Sequence, residues 1–342
     1  LEIMEIEMEG GSGNHSHRTM GRLVIKIRGE ERVIEDDPIS SLKKIISRYD
    51  PHIIVSRWGD SYLMPNLQRL ASARGEALPF GREPEGYLPR KRGRSYFTYG
   101  KILFTASSYT FKGRWHLDME NSFIIKECGL EGLIELARLA KIPVQRMART
   151  STGTCISAMQ VETAIKDGYL IPLRKSQVED FKTAEELLLI DKGGLTYRPE
   201  PGFYEEVGEL DFASMYPTLM ARFNLSPETI NCACCPQAPK VPETGYRTCT
   251  RRRGLIPKTI EPLLAKRQQY KARIRLTVDP VLKETYDRKQ SAHKWCLVTC
   301  FGYLGYKNAR FGKIEAHEST TAWGREMLLR AKEIAETRGY RF

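Results

Sequence analysis

No stretch of this 342-residue sequence stays apolar over the length needed to cross a bilayer, so no helical membrane span is expected. A signal peptide is also lacking: Leu1 to Gly10 alternate acidic with apolar residues instead of forming a cationic block followed by an apolar one. These two absences lead to the expectation of a cytoplasmic protein without membrane partners. Internal repeats and low-complexity tracts are missing, which excludes repeat arrays and compositional tails. There is no initiating Met, and the chain stops at Phe342 directly after a helical pattern (Thr320 to Thr337) and the stop signal Gly339. Those ends are expected of a fragment or of one half of a split protein.

Paired C-x-x-C knuckles are absent too. Four of the eight cysteines, Cys232, Cys234, Cys235 and Cys249, follow the spacing C-x-C-C-x13-C. An intracellular chain with such uneven placement does not read as a disulfide framework. Four thiols in one loop is the number a structural Zn²⁺ takes, and free buried thiols or a disulfide stay open beside zinc.

What is present bounds the rest. With 41% hydrophobic residues the chain is long enough for two or three domains with cores of their own. Lys and Arg number 54 against 42 Asp and Glu, a net charge of +12 that suits a polyanionic partner such as nucleic acid. Leu23 to Ile27 alternates as a strand, Ile39 to Tyr49 carries helical periodicity, and Pro51 to Ser56 is a β-branched run, together an α/β beginning. In the Gly- and Pro-rich stretch Gly75 to Arg94, the cations Arg90, Lys91, Arg92 and Arg94 either follow a phosphate backbone or form a solvated loop. Helical patterns return at Gly132 to Ala140 and Ile156 to Lys166, and turn formers punctuate Gly193 to Gly208. Thr259 to Thr277 and Val281 to Thr299, separated by Val278 to Pro280, predict an antiparallel helical hairpin.

Gly208 to Thr229 reads GELDFASMYPTLMARFNLSPET, expected as a short strand entering a turn with Asp211 at the strand end, where a carboxylate can hold a divalent cation. The segment resembles the first palm motif of family B DNA polymerases, and the preceding GGLTYRPEPGFYEEV (Gly193 to Val207) is similar to the archaeal lead-in to it. The resemblance implies that Asp211 binds two Mg²⁺ ions, with the Phe212 carbonyl completing the set, in a two-metal nucleotidyl transfer. It further implies that Ser214 and Met215 meet the incoming triphosphate and that the Tyr216 ring lies under the sugar. Gly193 and Gly194 would then touch DNA.

On the second helix of the hairpin, Gln290, Lys294, Val298 and Phe301 recur at spacings that share one face. The run KQSAHKWCLVTCFGYLG, Lys289 to Gly305, resembles the family B fingers motif, with Lys294 on its triphosphate-binding lysine and Gln290 beside it. On the first helix EPLLAKRQQYK is similar to the family's other phosphate-binding stretch, implying roles for Arg267 and Lys271. Tyr303 and Gly305 would face DNA, as would Arg251 in the run Arg251 to Arg253, which reads equally as a solvated charge run. Val298, Thr299, Phe301 and Lys289 depart from the family pattern, replacing Asn, Ser, Tyr and Arg.

Asp50 to Leu67, DPHIIVSRWGDSYLMPNL, resembles the family's second exonuclease motif, with Leu63 where its catalytic Asp stands and Trp58 where its Asn stands. Leucine cannot ligate a metal. Glu5 and Glu7 are faint remnants of the first such motif, and Ile125 to Leu133 contains neither the Tyr nor the Asp of the third. Proofreading is therefore expected to be lost, with Asp60 structural or solvated.

The expected whole is a multi-domain α/β protein: a degenerate ribonuclease-H-like 3′–5′ exonuclease domain (1–150), a first palm part (151–254), a fingers hairpin (255–303) and a truncated return to the palm (304–342), without a thumb. As an archaeal, exonuclease-degenerate family B polymerase it implies primer–template DNA and deoxynucleoside triphosphates as partners, a nucleoid association, and a further polypeptide or segment carrying the third palm motif and the thumb. A non-catalytic DNA-binding or scaffolding relative is the alternative, and a nuclease of the ribonuclease-H class ranks last.

Overall fold

In this computed structural model residues 1–9, 21–83, 90–98, 101–173, 179–198 and 200–341 are described. The chain divides into two compact units, Leu1–Ala137 with Ile142–Ser151, and Arg138–Lys141 with Thr152–Phe342.

The first unit is built on a mixed sheet. Strands β1 (Ile3–Met8), β2 (Leu23–Ile27) and β3 (Glu30–Ile34) are followed by helix α1 (Pro38–Tyr49) and strand β4 (Ile53–Ser56). A π-helical turn at Gly59–Leu63 leads into α2 (Met64–Ala73). Short strands β5 (Arg90–Lys91), β6 (Arg94–Thr98), β7 (Lys101–Thr105) and β8 (Ser108–Tyr109) precede β9 (Trp115–Asp118). The five-stranded order is β3-β2-β1-β4-β9. The first three strands pair antiparallel, whereas β4 runs parallel to both β1 and β9. The alternation in β1 turns Met4 and Ile6 into the core, where Ile6 lies opposite Ile25. Helix α1 starts where the Asp37 carboxylate accepts from the Ile39 and Ser40 amides and Pro38 pre-sets the first turn. Its apolar stripe, Ile39, Leu42, Ile45 and Ile46, packs into the same core as Leu63, Leu67 and Phe80.

Part of the basic Gly75 to Arg94 stretch, residues 84–89, lies outside the described residues, as does the Arg90 side chain. Around it the sequence expectation of a plain loop is corrected. Arg90–Lys91 pairs with Ser108–Tyr109, and Arg94 opens the β6–β7 hairpin. The Ser-Tyr-Phe-Thr and Ile-Leu-Phe-Thr runs supply the β-branched and aromatic residues such a ribbon needs.

Helices α3 (Phe123–Ala140, kinked at Gly129 with φ 63°) and α4 (Val144–Met147) precede the helical unit. That unit contains α5 (Thr152–Lys166), α6 (Ala184–Ile190), α7 (Met215–Arg222), α8 (Leu255–Leu276), α9 (Pro280–Leu304) and α10 (Ile314–Thr337). The hairpin has the predicted form. Asp279 caps α9 by accepting from the Val281 amide at 2.9 Å, Pro280 sits at its first turn, and α8 and α9 pack along each other. Helix α5 lies against both, and α7 against α8 and α10.

The strand expected at Gly208 to Asp211 is not found. Those residues are extended coil, with Leu210 fully exposed. A strand needs a neighbouring edge to satisfy its backbone, and the pairings among the described residues of this unit are the isolated bridges Ile230–Thr248 and Lys240–Arg247.

Candidate functional site

The coil from Gly208 ends at Ser214, which adopts a left-handed conformation (φ 53°) and opens α7. This turn places Asp211, exposed, beside the helix start. From α8, Arg267 reaches across and its Nη1 donates to the Ser214 hydroxyl at 2.5 Å. Burial draws the Arg267 pKa down against the opposing pull of the Asp211 carboxylate. Its Nε is buried without a protein partner. An arginine half withdrawn from water with a donor still unsatisfied is a ready receiver for an anion. Sequence reasoning named both residues from the resemblance, and the structure brings them together. Lys271, one turn further along α8, is exposed.

Tyr216 is held by close approaches. A Cβ on Gly324 would stand 3.0 Å from its Cε1, and one on Gly194 would stand 3.3 Å from its hydroxyl oxygen. Met215, half-buried, lines the same Gly324 gap. Neighbouring Gly193 (φ 64°) has its carbonyl bound by Arg325, whose guanidinium also pairs with Glu243. On its other side the Tyr216 ring stacks on Phe301 at 4.3 Å between centroids, and Phe301 stacks in turn on His317 at 4.4 Å. His317 is a residue the sequence reading missed. No spacing rule links it to Phe301, because the two sit on different helices and meet only at the corner between them. Gly305 lies against the His317 ring, where a Cβ would come within 3.0 Å.

The expected α9 face, Gln290 to Phe301, is of mixed burial. Gln290 and Phe301 are half-buried, Lys294 and Val298 exposed. Gln290 donates to Asp287 at 3.1 Å while its Oε1 stays buried without a protein partner. Phe212, 40% exposed, remains available beside Asp211. Tyr303 points elsewhere: it packs on the backbone of Gly153, where a Cβ would collide with its ring. This face of α9 against α5 is a packing surface for Tyr303.

Cys232, Cys234, Cys235 and Cys249 converge in the loop between α7 and α8, their four sulfurs lying within 4.8 Å of one another. Hydrogen bonds from the Thr250 amide and hydroxyl draw the Cys235 thiol down to about 6. Burial opposes but does not overcome the Arg252 and Arg251 amides, which lower Cys249. Arg251 is exposed and, with Arg252 and Lys313, borders an open recess beside Cys232 and Cys234.

In the first unit, Leu63 is completely buried in the apolar core and Trp58 holds a left-handed turn (φ 59°). Glu5 is exposed, and Glu7 pairs with Lys26. Asp60 is neither solvated nor free. It is fully buried, accepts from the Tyr109 amide and Asn121, and pairs with Arg149 at 2.7 Å. Burial would raise its pKa, but Arg149 holds it below the usual carboxylate range. His116 beside it donates to or accepts from Ser56 at 2.8 Å, and burial lowers its pKa to about 4. Asp118, also buried, accepts from the Asp60 amide, and burial raises its pKa, so the group is a buried structural network of two carboxylates with Arg149.

No helix among the described residues is long and apolar enough to cross a membrane. In comparison with known proteins, DNA polymerase 2 of Saccharolobus solfataricus is 35% identical over 62% of this chain and 31% of its own length. DNA polymerase 1 of Pyrococcus abyssi is 29% identical over 90% of the chain and 45% of its own length. The DNA polymerase of Thermococcus sp. 9oN-7 is 32% identical over 89% and 46%. The chain thus spans between about a third and a half of these curated relatives. The solved family B DNA polymerase of Pyrobaculum calidifontis shares the fold at a TM-score of 0.70 and 23% identity, over 98% of this chain and 51% of that one. The family profile for DNA polymerase family B matches residues 142–342, and with that match, covering the segment that carries Asp211, Arg267 and Lys294, this chain belongs to DNA polymerase family B.

Proposed function

We propose that this chain carries the nucleotide-binding part of an archaeal DNA-directed DNA polymerase that adds deoxynucleotides to a primer and lacks proofreading. The observation that carries the reading is the meeting of Asp211, Ser214 and Arg267 at the start of α7, with the Tyr216–Phe301 stack forming one wall. The donor set suits a hard cation: an exposed carboxylate at Asp211 with the Phe212 carbonyl next in the chain. Mg²⁺ bound there would supply the positive charge that nucleotidyl transfer needs. Arg267, Lys271 and Lys294 would hold the triphosphate with Gln290 and Ser214, and Tyr216 would support the sugar. Gly193, Gly194, Arg251 and Gly305 are assigned to the DNA path. Tyr303 keeps only a backing role there, given its packing on Gly153.

The same reading divides the chain into an exonuclease-like domain (1–150), palm (151–254), fingers (255–303) and continued palm (304–342). Within it, Leu63 and Trp58 stand where hydrolysis of a primer end would need a carboxylate and an amide, so the first domain serves as scaffold. A single carboxylate orients two cations poorly, so the 342-residue chain alone does not extend primers. It requires the third palm motif and thumb from a further polypeptide or segment.

Primer extension with Mg²⁺ and four deoxynucleotides tests this, comparing the chain alone with the chain plus a polypeptide bearing the downstream palm and thumb. Extension in the mixture, lost in Asp211→Ala, is expected. DNA binding without extension in the mixture would replace the catalytic reading with a scaffolding one.

A further inference from the structure

We propose that Cys232, Cys234, Cys235 and Cys249 form a structural zinc site that clamps the loop between α7 and α8. The sulfurs of Cys232 and Cys234 are 3.3 Å apart, those of Cys234 and Cys235 3.7 Å, those of Cys234 and Cys249 3.6 Å, and those of Cys235 and Cys249 3.7 Å. Four thiolates about 2.3 Å from one tetrahedral ion have edges of about 3.8 Å, close to this set. All four cysteines are free, and a disulfide would bring one pair to about 2.05 Å while forcing it out of the shared centre. The ligands of an iron–sulfur cluster would be spread around several metal atoms instead of one.

The surroundings suit an anionic centre. A zinc ion with four thiolates carries a net charge of minus two, and Arg251, Arg252 and Lys313 border the adjoining recess. The Thr250 hydroxyl lies 3.6 Å from the Cys235 sulfur, the kind of outer contact that orients a thiolate ligand. Zinc binding releases the thiol protons to solvent and changes no oxidation state.

The local apolar cluster of the loop consists of Cys235, Ala238 and Cys249 with the flanks of Cys232 and Cys234. Two isolated bridges, buried Ile230 and Val241, and the Tyr246 and Arg247 hydrogen bonds also hold its arms. A metal would add a direct link among its four cysteines. The clamp reaches the nucleotide site through Asn224, just after α7. Its side-chain amide donates to the carbonyls of Cys249 and Arg252, and its oxygen accepts from the Gly254 amide that opens α8. The metal would thereby fix the start of the helix that bears Arg267.

The test is metal analysis of the full purified chain by plasma mass spectrometry, joined to zinc X-ray absorption spectroscopy on the same material. One zinc per chain with four sulfur neighbours at about 2.3 Å is expected. Cys235→Ser with Cys249→Ser should abolish the zinc, and the wild-type spectrum gives the answer even where that variant fails to fold. Zinc-free protein with four titratable thiols, a mass deficit from disulfide formation, or iron in place of zinc would each overturn the assignment. None of these readouts depends on polymerase activity.

Discussion

Arg267 is where the candidate site is most exposed to a single substitution. Its guanidinium contacts Ser214 and holds a donor in reserve, so Arg267→Ala should raise the KM for deoxynucleotides about tenfold or more in the complemented assay. A kcat loss at unchanged KM would contradict a binding role. Leu63 gives the opposite kind of test. Because it is fully buried, Leu63→Asp should not create a nuclease but should destabilise the first unit by several kcal/mol, on the order of what an unpaired buried charge costs. Chemical denaturation and a mismatched-primer digestion assay would check the two halves of that statement. These residues also show what was legible in the sequence. Asp211, Arg267 and Lys294 were proposed from short motifs, and the structure sets Arg267 against Ser214 within the field of Asp211. His317 and the Asp60–Arg149 pair were not legible, because each depends on contacts between distant segments that no local pattern encodes.

Helices were readable where periodicity was clear: Ile39 to Tyr49 and Val281 to Thr299 are helical, and the structure starts both one residue earlier, at Pro38 and Pro280, behind the caps Asp37 and Asp279. The strand expected at Gly208 to Asp211 failed because strand formation is decided by a partner edge, which the run of residues cannot reveal. The corner between α9 and α10 makes a prediction at this scale. Gly312 is buried there, and an added Cβ would stand 3.0 Å from the carbonyl oxygens of both Tyr303 and Tyr306. Backbone oxygens cannot swing away, so Gly312→Ala should cost about 1–3 kcal/mol in denaturant titrations. An unchanged midpoint would mean that the corner relaxes freely.

Across the whole molecule, the first unit should respond to pH through His116. Its folded pKa of about 4 lies below the unfolded value near 6.5. The stabilisation from keeping it neutral is therefore complete above about pH 6.5 and is lost as pH falls towards 4, by about 3 kcal/mol in total. Asp60, also lowered, acts in the same direction at still lower pH, losing its pairing with Arg149 as it protonates. Urea midpoints between pH 7 and 4 should fall in wild type and flatten in His116→Gln, and a flat wild-type profile would rule the mechanism out.

The ring ladder of Tyr216, Phe301 and His317 joins α7, α9 and the start of α10 near the base of the hairpin. Phe301 is the middle ring of the three, so Phe301→Ala would remove both stacks at once and leave Tyr216 and His317 without their shared aromatic neighbour.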